Sequence, residues 1–176
     1  MASLTERMIG AAKLDVATYE EVENDPTAMG QAMLVVVLSS VAAGIGTIGM
    51  IGIRGLVIGT IVAIVGWFLW AGLTFLIGTK LLPEPETRAD FGQLLRSIGF
   101  SASPGVLRIL GIIPILGWLI SLAASIWMLV AMVIAVRQAL DYKSTGRAVG
   151  VCLIGFVVYL VFAAIVGGMT GLAMSG

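Results

Sequence analysis

The residues whose types and spacing could support chemistry are few. Glu84 and Glu86 alternate with prolines in Pro83-Glu84-Pro85-Glu86, and paired carboxylates are what general acid–base catalysis or a hard cation would need. Because proline holds its neighbours in extended backbone, we interpret this stretch as a solvated spacer. The sequence has no histidine, which excludes histidine-ligated metals and histidine-based proton transfer near neutral pH. We therefore predict no enzymatic activity, no metal site and no cofactor.

Arg108 is the most unusual residue for its surroundings, because it lies in an otherwise uncharged apolar stretch. A guanidinium there is unfavourable unless it reaches the lipid headgroups, pairs with an acid or faces water. We favour the first arrangement, with the side chain extended to the inner headgroups. The alternative is an ion pair with Asp90 or Asp141.

Glycines recur at helical spacing inside the apolar stretches, a pattern that lets helix backbones approach closely in lipid. We predict that the following glycines pack helices together: Gly46, Gly49, Gly52, Gly55, Gly59, Gly167 and Gly171. A nucleotide-binding loop is excluded, because no Lys-Ser or Lys-Thr pair follows these glycines. Trp67 and Trp70, near the middle of one stretch, are also predicted to pack between helices.

The composition identifies the solvent of most of the chain. Of 176 residues, 59% are hydrophobic and only 11% are charged, and the mean hydropathy is +1.09. A soluble domain has about 25% charged residues, so this chain lacks the polar surface that water requires. Ten basic and ten acidic residues cancel, leaving no excess charge for a phosphate backbone. We expect membrane lipids as partners and no nucleic acid.

Gaps between charges predict the membrane spans. Residues 30–53 and 55–79 are two uncharged stretches separated by Arg54. Each stretch is longer than the about 20 residues that cross a bilayer. The stretch 104–136 is too long for one ordinary span, and Pro114 and Gly117 lie near its middle, where a helix would end. We interpret it as a hairpin of two crossings, with one kinked, tilted helix as the alternative. The predicted spans are about 30–53, 55–80, 104–116, 118–137 and 148–172.

Basic residues give these spans an orientation. With five spans and a cytoplasmic N-terminus, Arg54 alone lies in an outer segment, and Arg108 lies near the inner end of the third span. The inner segments then hold Arg7, Lys13, Lys80, Arg88, Arg96, Arg137, Lys143 and Arg147. We therefore predict a cytoplasmic segment, 1–29, and a single transmembrane domain, 30–176, with an external C-terminus.

Capping signals mark the helix starts. Asp25-Pro26 and Ser103-Pro104 each place an acceptor before a proline, as at the start of a helix. Ser3 with Glu6 and Thr87 with Asp90 have the spacing of capping boxes. The second box would open a helix over 87–100, whose apolar stripe predicts that it lies flat at the inner interface. That stripe consists of Phe91, Leu94, Leu95 and Ile98.

An all-α fold follows from these elements: a polytopic membrane helix bundle with five transmembrane helices and short N-terminal and interfacial amphipathic helices. Basic residues near a cytoplasmic leaflet attract anionic lipid or a partner protein. The candidate contacts on the inner face are Arg88, Arg96, Arg108, Arg137, Lys143 and Arg147.

Several segments, taken in order, resemble the bacterial branch of the Yip domain family, the Ypt/Rab-interacting membrane proteins. They are Arg7-Met8-Ile9-Gly10, Leu14 to Val22, Asp25-Pro26, Leu94 to Pro104, Ile126-Trp127, Ala135 to Leu140 and Ser144 to Ala148. The resemblance implies a five-span membrane protein with a cytoplasmic N-terminus. Eukaryotic members contact small GTPases in vesicle traffic, but this chain lacks their Asp-Leu-Tyr-Gly-Pro signature, so that activity is not carried over.

Three functions remain open at this stage. We favour a non-enzymatic membrane scaffold or organiser, or protein-interaction partner, in the bacterial inner membrane. The second is an accessory subunit of a larger membrane complex, and a homo-oligomer is a further expectation. The third is a transporter or channel for a neutral or lipid-like solute. No acid lies within a predicted span, which disfavours a carboxylate-coupled transporter.

Overall fold

The computed structural model describes residues 2–113 and 115–175, with side chains for 2–113 and 115–161. This part of the chain consists of helices and connecting turns, without a β-strand, which confirms the all-α class. The α-helices are α1 (Leu4–Ala12), α2 (Val16–Asn24), α3 (Met29–Gly46), α4 (Ile48–Leu76), α5 (Phe91–Ser101), α6 (Leu116–Ala139) and α7 (Thr145–Ser175). A 3₁₀ turn (Pro26–Ala28) precedes α3, a π-helical turn (Ile77–Leu81) follows α4, and a 3₁₀ helix (Ser103–Ile112) follows α5.

Long helices run antiparallel between two ends of a bundle. Gly44 of α3 packs on Leu56 of α4 near one end, and Gly78, after α4, packs on Leu140 near the other. We call the second end the charged end, because α1, α2 and the loops 82–90 and 140–144 lie there. The opposite end, formed by the α3–α4 junction and the start of α6, is called the apolar end.

Within the described residues, three helical stretches are long and apolar enough to cross a membrane: Pro26–Gly46, Ile48–Leu81 and Leu116–Ala139. Large hydrophobic side chains are exposed along their outer faces, including Ile58, Leu69 and Leu129. A shorter apolar helix, Thr145–Val161, belongs to α7. An outer surface of this kind needs lipid around it.

The third crossing of the bundle differs from its prediction. α5 and the 3₁₀ helix form one segment parallel to α3, because Gly99 packs on Ala32, Gly105 on Ser39 and Gly111 on Gly46. Helices of 11 and 10 residues extend together about 36 Å, more than the about 30 Å of a bilayer core. The segment therefore passes from the charged end to the apolar end over 91–112, where the sequence predicted 104–116.

The helix predicted over 87–100 is present as α5, but it packs within the bundle and does not lie flat on its surface. Every residue of α5 from Leu94 to Ser101 is buried within the bundle, so Leu94, Leu95 and Ile98 of the apolar stripe do not face lipid, whereas Phe91 is 38% exposed. The stripe was misleading because α5 also has a buried polar side, which α2 covers. The helix begins at Asp90, which forms its capping box with Gln93 and not with Thr87.

The helix boundaries at the apolar end also differ from those predicted. α3 ends at Gly46 and α4 begins at Ile48, so the turn lies six to eight residues before the predicted break at Arg54. Gly52 produces a kink inside α4, with φ of 62°, a conformation that favours glycine.

The segment 104–136 is a hairpin and not a single kinked helix. Gly105 packs on Met128 and Gly111 on Ser121, so the 3₁₀ helix and α6 run antiparallel. Ser103 was expected to cap the 3₁₀ helix, but its hydroxyl donates to the carbonyl of Phe100. Of the predicted turn residues, Pro114 lies outside the described part, and Gly117 packs against Gly111 just inside α6.

Two buried arginines attach the N-terminal helices to the bundle. Arg7, 2% exposed, donates to Glu21 at 2.9 Å, Asp25 at 2.5 Å and Gln31 at 3.0 Å. The second, Arg96, donates to carbonyl oxygens of α2. Hydrogen bonds from Thr27 and Arg7 lower the pKa of Asp25 to about 2. The predicted Ser3–Glu6 capping box and Asp25 cap are both present.

Only part of the predicted glycine packing is found. Gly46 meets the 3₁₀ helix, whereas a methyl group added at Gly49, Gly52 or Gly59 would have no other atom within 4 Å. For one added at Gly55, the three nearest atoms would all belong to Ile51 of the same helix. The packing of Gly167 and Gly171 lies outside the described side chains.

We predict opposite membrane exposure for the two ends. In a Cys152→Ala background, a cysteine at Lys143, at the charged end, should react with an impermeant maleimide only from the cytoplasm. A cysteine at Ile115, which is 85% exposed at the apolar end, should react only from outside. Labelling of both positions from the same side of intact vesicles would contradict this orientation.

We also predict that Gly46→Ala destabilises the bundle. A methyl group at Gly46 would overlap the carbonyl oxygen of Arg108, forcing the 3₁₀ helix away from α3 at about 1–3 kcal/mol. Gly59→Ala is the matched control, because its methyl group would meet open space. Thermal unfolding in detergent should show a lower Tm for Gly46→Ala alone; equal Tm values would contradict close packing at Gly46.

Candidate functional site

A polar cleft of about 700 Å³ opens at the charged end. Three parts of the chain form its walls: the C-terminal half of α2, the start of α5 with the loop before it, and the end of α6 with the turn after it. The lining residues are Glu20, Glu23, Asn24, Arg88, Ala89, Asp90, Gln93, Arg137, Gln138, Asp141 and Tyr142.

Arg96 positions the α2 wall of the cleft. Its guanidinium, 7% exposed, donates to the carbonyls of Val22 and Glu23 in the last turn of α2. Such carbonyls have no partner within the helix, so a basic side chain satisfies them and complements the helix dipole. Arg96 is therefore a buried structural residue beneath the cleft and not the exposed contact for lipid or a partner that was predicted.

Tyr142 positions the opposite wall. Its hydroxyl lies 2.9 Å from the carbonyl oxygen of Gly78 and 2.7 Å from that of Leu82, so it connects the turn after α6 to the end of α4. Arg137 donates to the carbonyl of Tyr142 at 3.2 Å, and Gln138 donates to Glu20 across the cleft at 3.1 Å. These bonds hold α2 and α6 at a defined separation.

Glu23 is the most unusual group of the cleft. Its side chain is only 5% exposed and borders the cavity, and no described side chain donates a hydrogen bond or forms a salt bridge to its carboxylate. Burial, together with the charges of Asp141 and Glu20, raises its pKa to about 7, although Arg96 opposes the shift. A buried carboxyl without a partner is unfavourable when ionised, and a cationic ligand would relieve that penalty.

The cleft as a whole is more acidic than basic. Glu20, Glu23, Asp90 and Asp141 contribute four carboxylates to its lining, against the guanidinium groups of Arg88 and Arg137. Among the described residues, no group of three or more acidic, histidine or cysteine side chains is close enough to hold a metal ion. This arrangement fits an ammonium or guanidinium group, which accepts dispersed carboxylates, better than a compact metal ion.

The other predicted contact residues lie outside the cleft. Lys143 pairs with Glu86 at 2.6 Å, and Arg147 lies 3.5 Å from Glu84 and donates to the carbonyl of Pro83 at 2.6 Å. Pro83, Pro85 and Glu86 are exposed, as expected of a solvated spacer, whereas the Glu84 side chain is only 8% exposed. Through these contacts with Arg147, the loop after α4 is held against the start of α7.

Arg108 lies far from the inner-face residues with which it was predicted to act. Its backbone is next to Gly46 at the end of α3, and its guanidinium donates to Ser125 at 2.7 Å. Asp90 and Asp141 line the cleft at the charged end, so the alternative ion pair with either acid is also wrong.

The acidic lining of the cleft was missed at the sequence level. Glu20 and Glu23 are three residues apart in α2, a spacing that places both on one helix face. That spacing could have indicated a shared acidic surface. Asp141 had no such signal, because it enters the cleft through a turn in which its φ is 53°.

Comparison with known proteins supports the architecture. The family model described as the Yip1 domain matches residues 16–165. Searches of curated proteins and of solved structures return no significant match. The matched range includes α2, all the crossings of the bundle and most of α7. The chain is therefore a membrane protein of apolar helices that belongs to the Yip1 domain family.

Proposed function

We propose that the chain is a non-enzymatic membrane scaffold that binds a basic segment of a partner protein in the cleft at the charged end. The observation that carries this proposal is the largely buried side chain of Glu23, whose carboxyl group borders the cleft and has no partner among the described side chains, in a lining where acids outnumber arginines. A Lys or Arg side chain of the partner would supply the missing counter-charge. In the predicted topology, this binding surface faces the cytoplasm.

The chemistry of the lining favours a protein segment over the surface of an anionic membrane. The predicted attraction of anionic lipid depended on exposed basic residues, but Lys143 and Arg147 pair with acids of the Pro83–Glu86 loop and Arg96 is buried. The remaining arginines of the cleft, Arg88 and Arg137, share it with four carboxylates. Such a surface repels anionic headgroups and attracts mixed or basic sequences.

A photo-crosslinking experiment tests the proposal in intact membranes. A photoreactive amino acid at Asn24, which is exposed and lines the cleft, should capture a discrete protein partner. The matched control is Ser144, which is exposed at the same end but outside the cleft lining. Glu20→Gln combined with Glu23→Gln should reduce capture by about tenfold, the scale of one charge-assisted bond. Equal capture from Asn24 and Ser144, or only lipid adducts at Asn24, would contradict the proposal.

Partner capture should also depend on pH. Glu23, whose pKa is raised to about 7, is mostly protonated at pH 6 and mostly ionised at pH 8, so a basic partner should bind more strongly at pH 8. The sign for folding is opposite, because a carboxyl with a raised folded-state pKa loses stability as pH rises from about 4.5 to 7. Glu23→Gln should flatten the pH profile of crosslinking between pH 6 and 8. A profile that is unchanged in Glu23→Gln would contradict this role.

A further inference from the structure

A second unusual charge lies inside the bundle, away from the cleft. Nη2 of Arg108 donates to Oγ of Ser125 at 2.7 Å, and that hydroxyl donates in turn to the carbonyl of Ser121 at 2.7 Å. No described carboxylate lies within salt-bridge distance of Arg108. A guanidinium has five N–H donors, so most of its binding capacity and its whole charge are without a protein partner in the described part of the chain.

The depth of Arg108 does not fit a side chain that reaches for the headgroups. Its neighbours in the 3₁₀ helix, Gly105 and Gly111, contact Met128 and Ser121 of α6, so Ser125 is level with the Arg108 backbone. Ser125 is nine residues from the start of α6 at Leu116, which corresponds to about 13 Å along the helix. The guanidinium thus lies well within the apolar part of the bundle, where an uncompensated charge is unfavourable.

Two adjoining cavities meet at this guanidinium. The larger, of about 530 Å³, lies between α3, α4, the 3₁₀ helix and α6; the smaller, of about 250 Å³, extends towards Trp67 and Trp70. Arg108, Ser40 and Ala63 line both. The indole N–H of Trp70, at the smaller cavity, is buried and has no hydrogen-bond partner among the described residues.

The larger cavity combines one cation with hydroxyl groups and apolar walls. Ser40, Thr47, Ser121 and Ser125 are its hydroxyl residues, and the other lining residues are aliphatic or glycine. Gly59 of α4 and Leu122 of α6 both line the cavity and are exposed on the outer surface. The cavity is therefore accessible from the lipid-facing side of the bundle between α4 and α6.

From this arrangement we infer that the cavity binds a single-chain amphiphile with a carboxylate head, of the fatty-acid class. The carboxylate would accept paired hydrogen bonds from Arg108, a geometry that the planar guanidinium fork matches. The acyl chain would occupy the apolar walls and leave through the opening beside Gly59 and Leu122. One negative charge balances the one positive charge, and the volume of the larger cavity, about 530 Å³, is on the scale of small-ligand sites.

A carboxylate fits this site better than the headgroup of a bilayer phospholipid. The guanidinium lies about 13 Å along the bundle from the start of α6, and a phosphodiester headgroup drawn to that depth would lose its hydration without enough donors to replace it. A carboxylate has two oxygens, which Arg108 alone can satisfy. The inferred site is independent of the proposed scaffold function, because none of its residues lines the cleft at the charged end.

Binding of radiolabelled palmitate to the full-length chain in nanodiscs of zwitterionic lipid tests this inference. We expect saturable binding with about one palmitate per chain, competition by oleate, and no competition by hexadecanol, which lacks the charge. Arg108→Gln should weaken binding by about tenfold or more, the scale for loss of a charge-assisted pair. Arg108→Lys, which keeps the charge but not the fork, should retain part of the affinity.

A second pair of variants separates ligand binding from folding. Leu122→Trp should block the opening and abolish palmitate binding while Arg108 is unchanged. Leu119→Trp is the matched control, because Leu119 is similarly exposed on α6, at 52% against 48% for Leu122, but does not line the cavity. The inference would be overturned if the wild type showed no saturable binding, or if wild type and Arg108→Gln bound palmitate equally. It would also be overturned if Leu122→Trp and Leu119→Trp had equal effects, or if phosphatidylglycerol but not oleate displaced palmitate.

Discussion

The close approach of the third crossing to α3 is the constraint on which the rest of the bundle depends. Gly46 of α3 and Gly99 of α5 are two points where the backbones of the two segments approach with no side chain between them. Gly105 and Gly111 of the 3₁₀ helix also lie against α3. A side chain at any of these contacts would push the segment outward. Without that approach, α5 would be an interfacial helix, Arg96 would not reach α2, and neither the cleft nor the Arg108 cavity would have its present walls.

Arg7, Arg96 and Arg108, three of the arginines that are buried or half-buried, have different consequences. Arg7 and Arg96 are satisfied by acids, an amide and carbonyl oxygens of the N-terminal helices, so they hold those helices on the bundle. Arg108 has one serine as its described partner. Because a charge in apolar surroundings requires compensation, the first two arginines explain folding, whereas the third indicates a ligand. The cleft at the charged end thus contains an acid, and the cavity inside the bundle a cation, that has no counter-charge partner among the described residues.

Much of the architecture was accessible from local sequence, but the assignment of the third crossing was not. The all-α class, the cap at Asp25 and the hairpin of the 3₁₀ helix and α6 were indicated by hydropathy, capping chemistry and helix-breaking residue types, signals that each act within a few residues. The helix over 91–101 has an apolar stripe, which local periodicity interprets as a surface helix. Its polar side is buried by α2, and nothing near it in sequence reports that contact.

Hydropathy, helix caps and motif order are properties of neighbouring residues, so the amino-acid order was enough to establish the solvent, the helical class and the family. Which polar groups share a site became visible only in the folded chain. Arg96 meets the carbonyl of Glu23 across 73 positions, and Arg108 meets Ser125 across 17. Whether a charge is paired, buried or open to a ligand depends on such distant contacts. The segments that pack around a charged group determine its burial and its electrostatic compensation, whereas its neighbours in the chain do not.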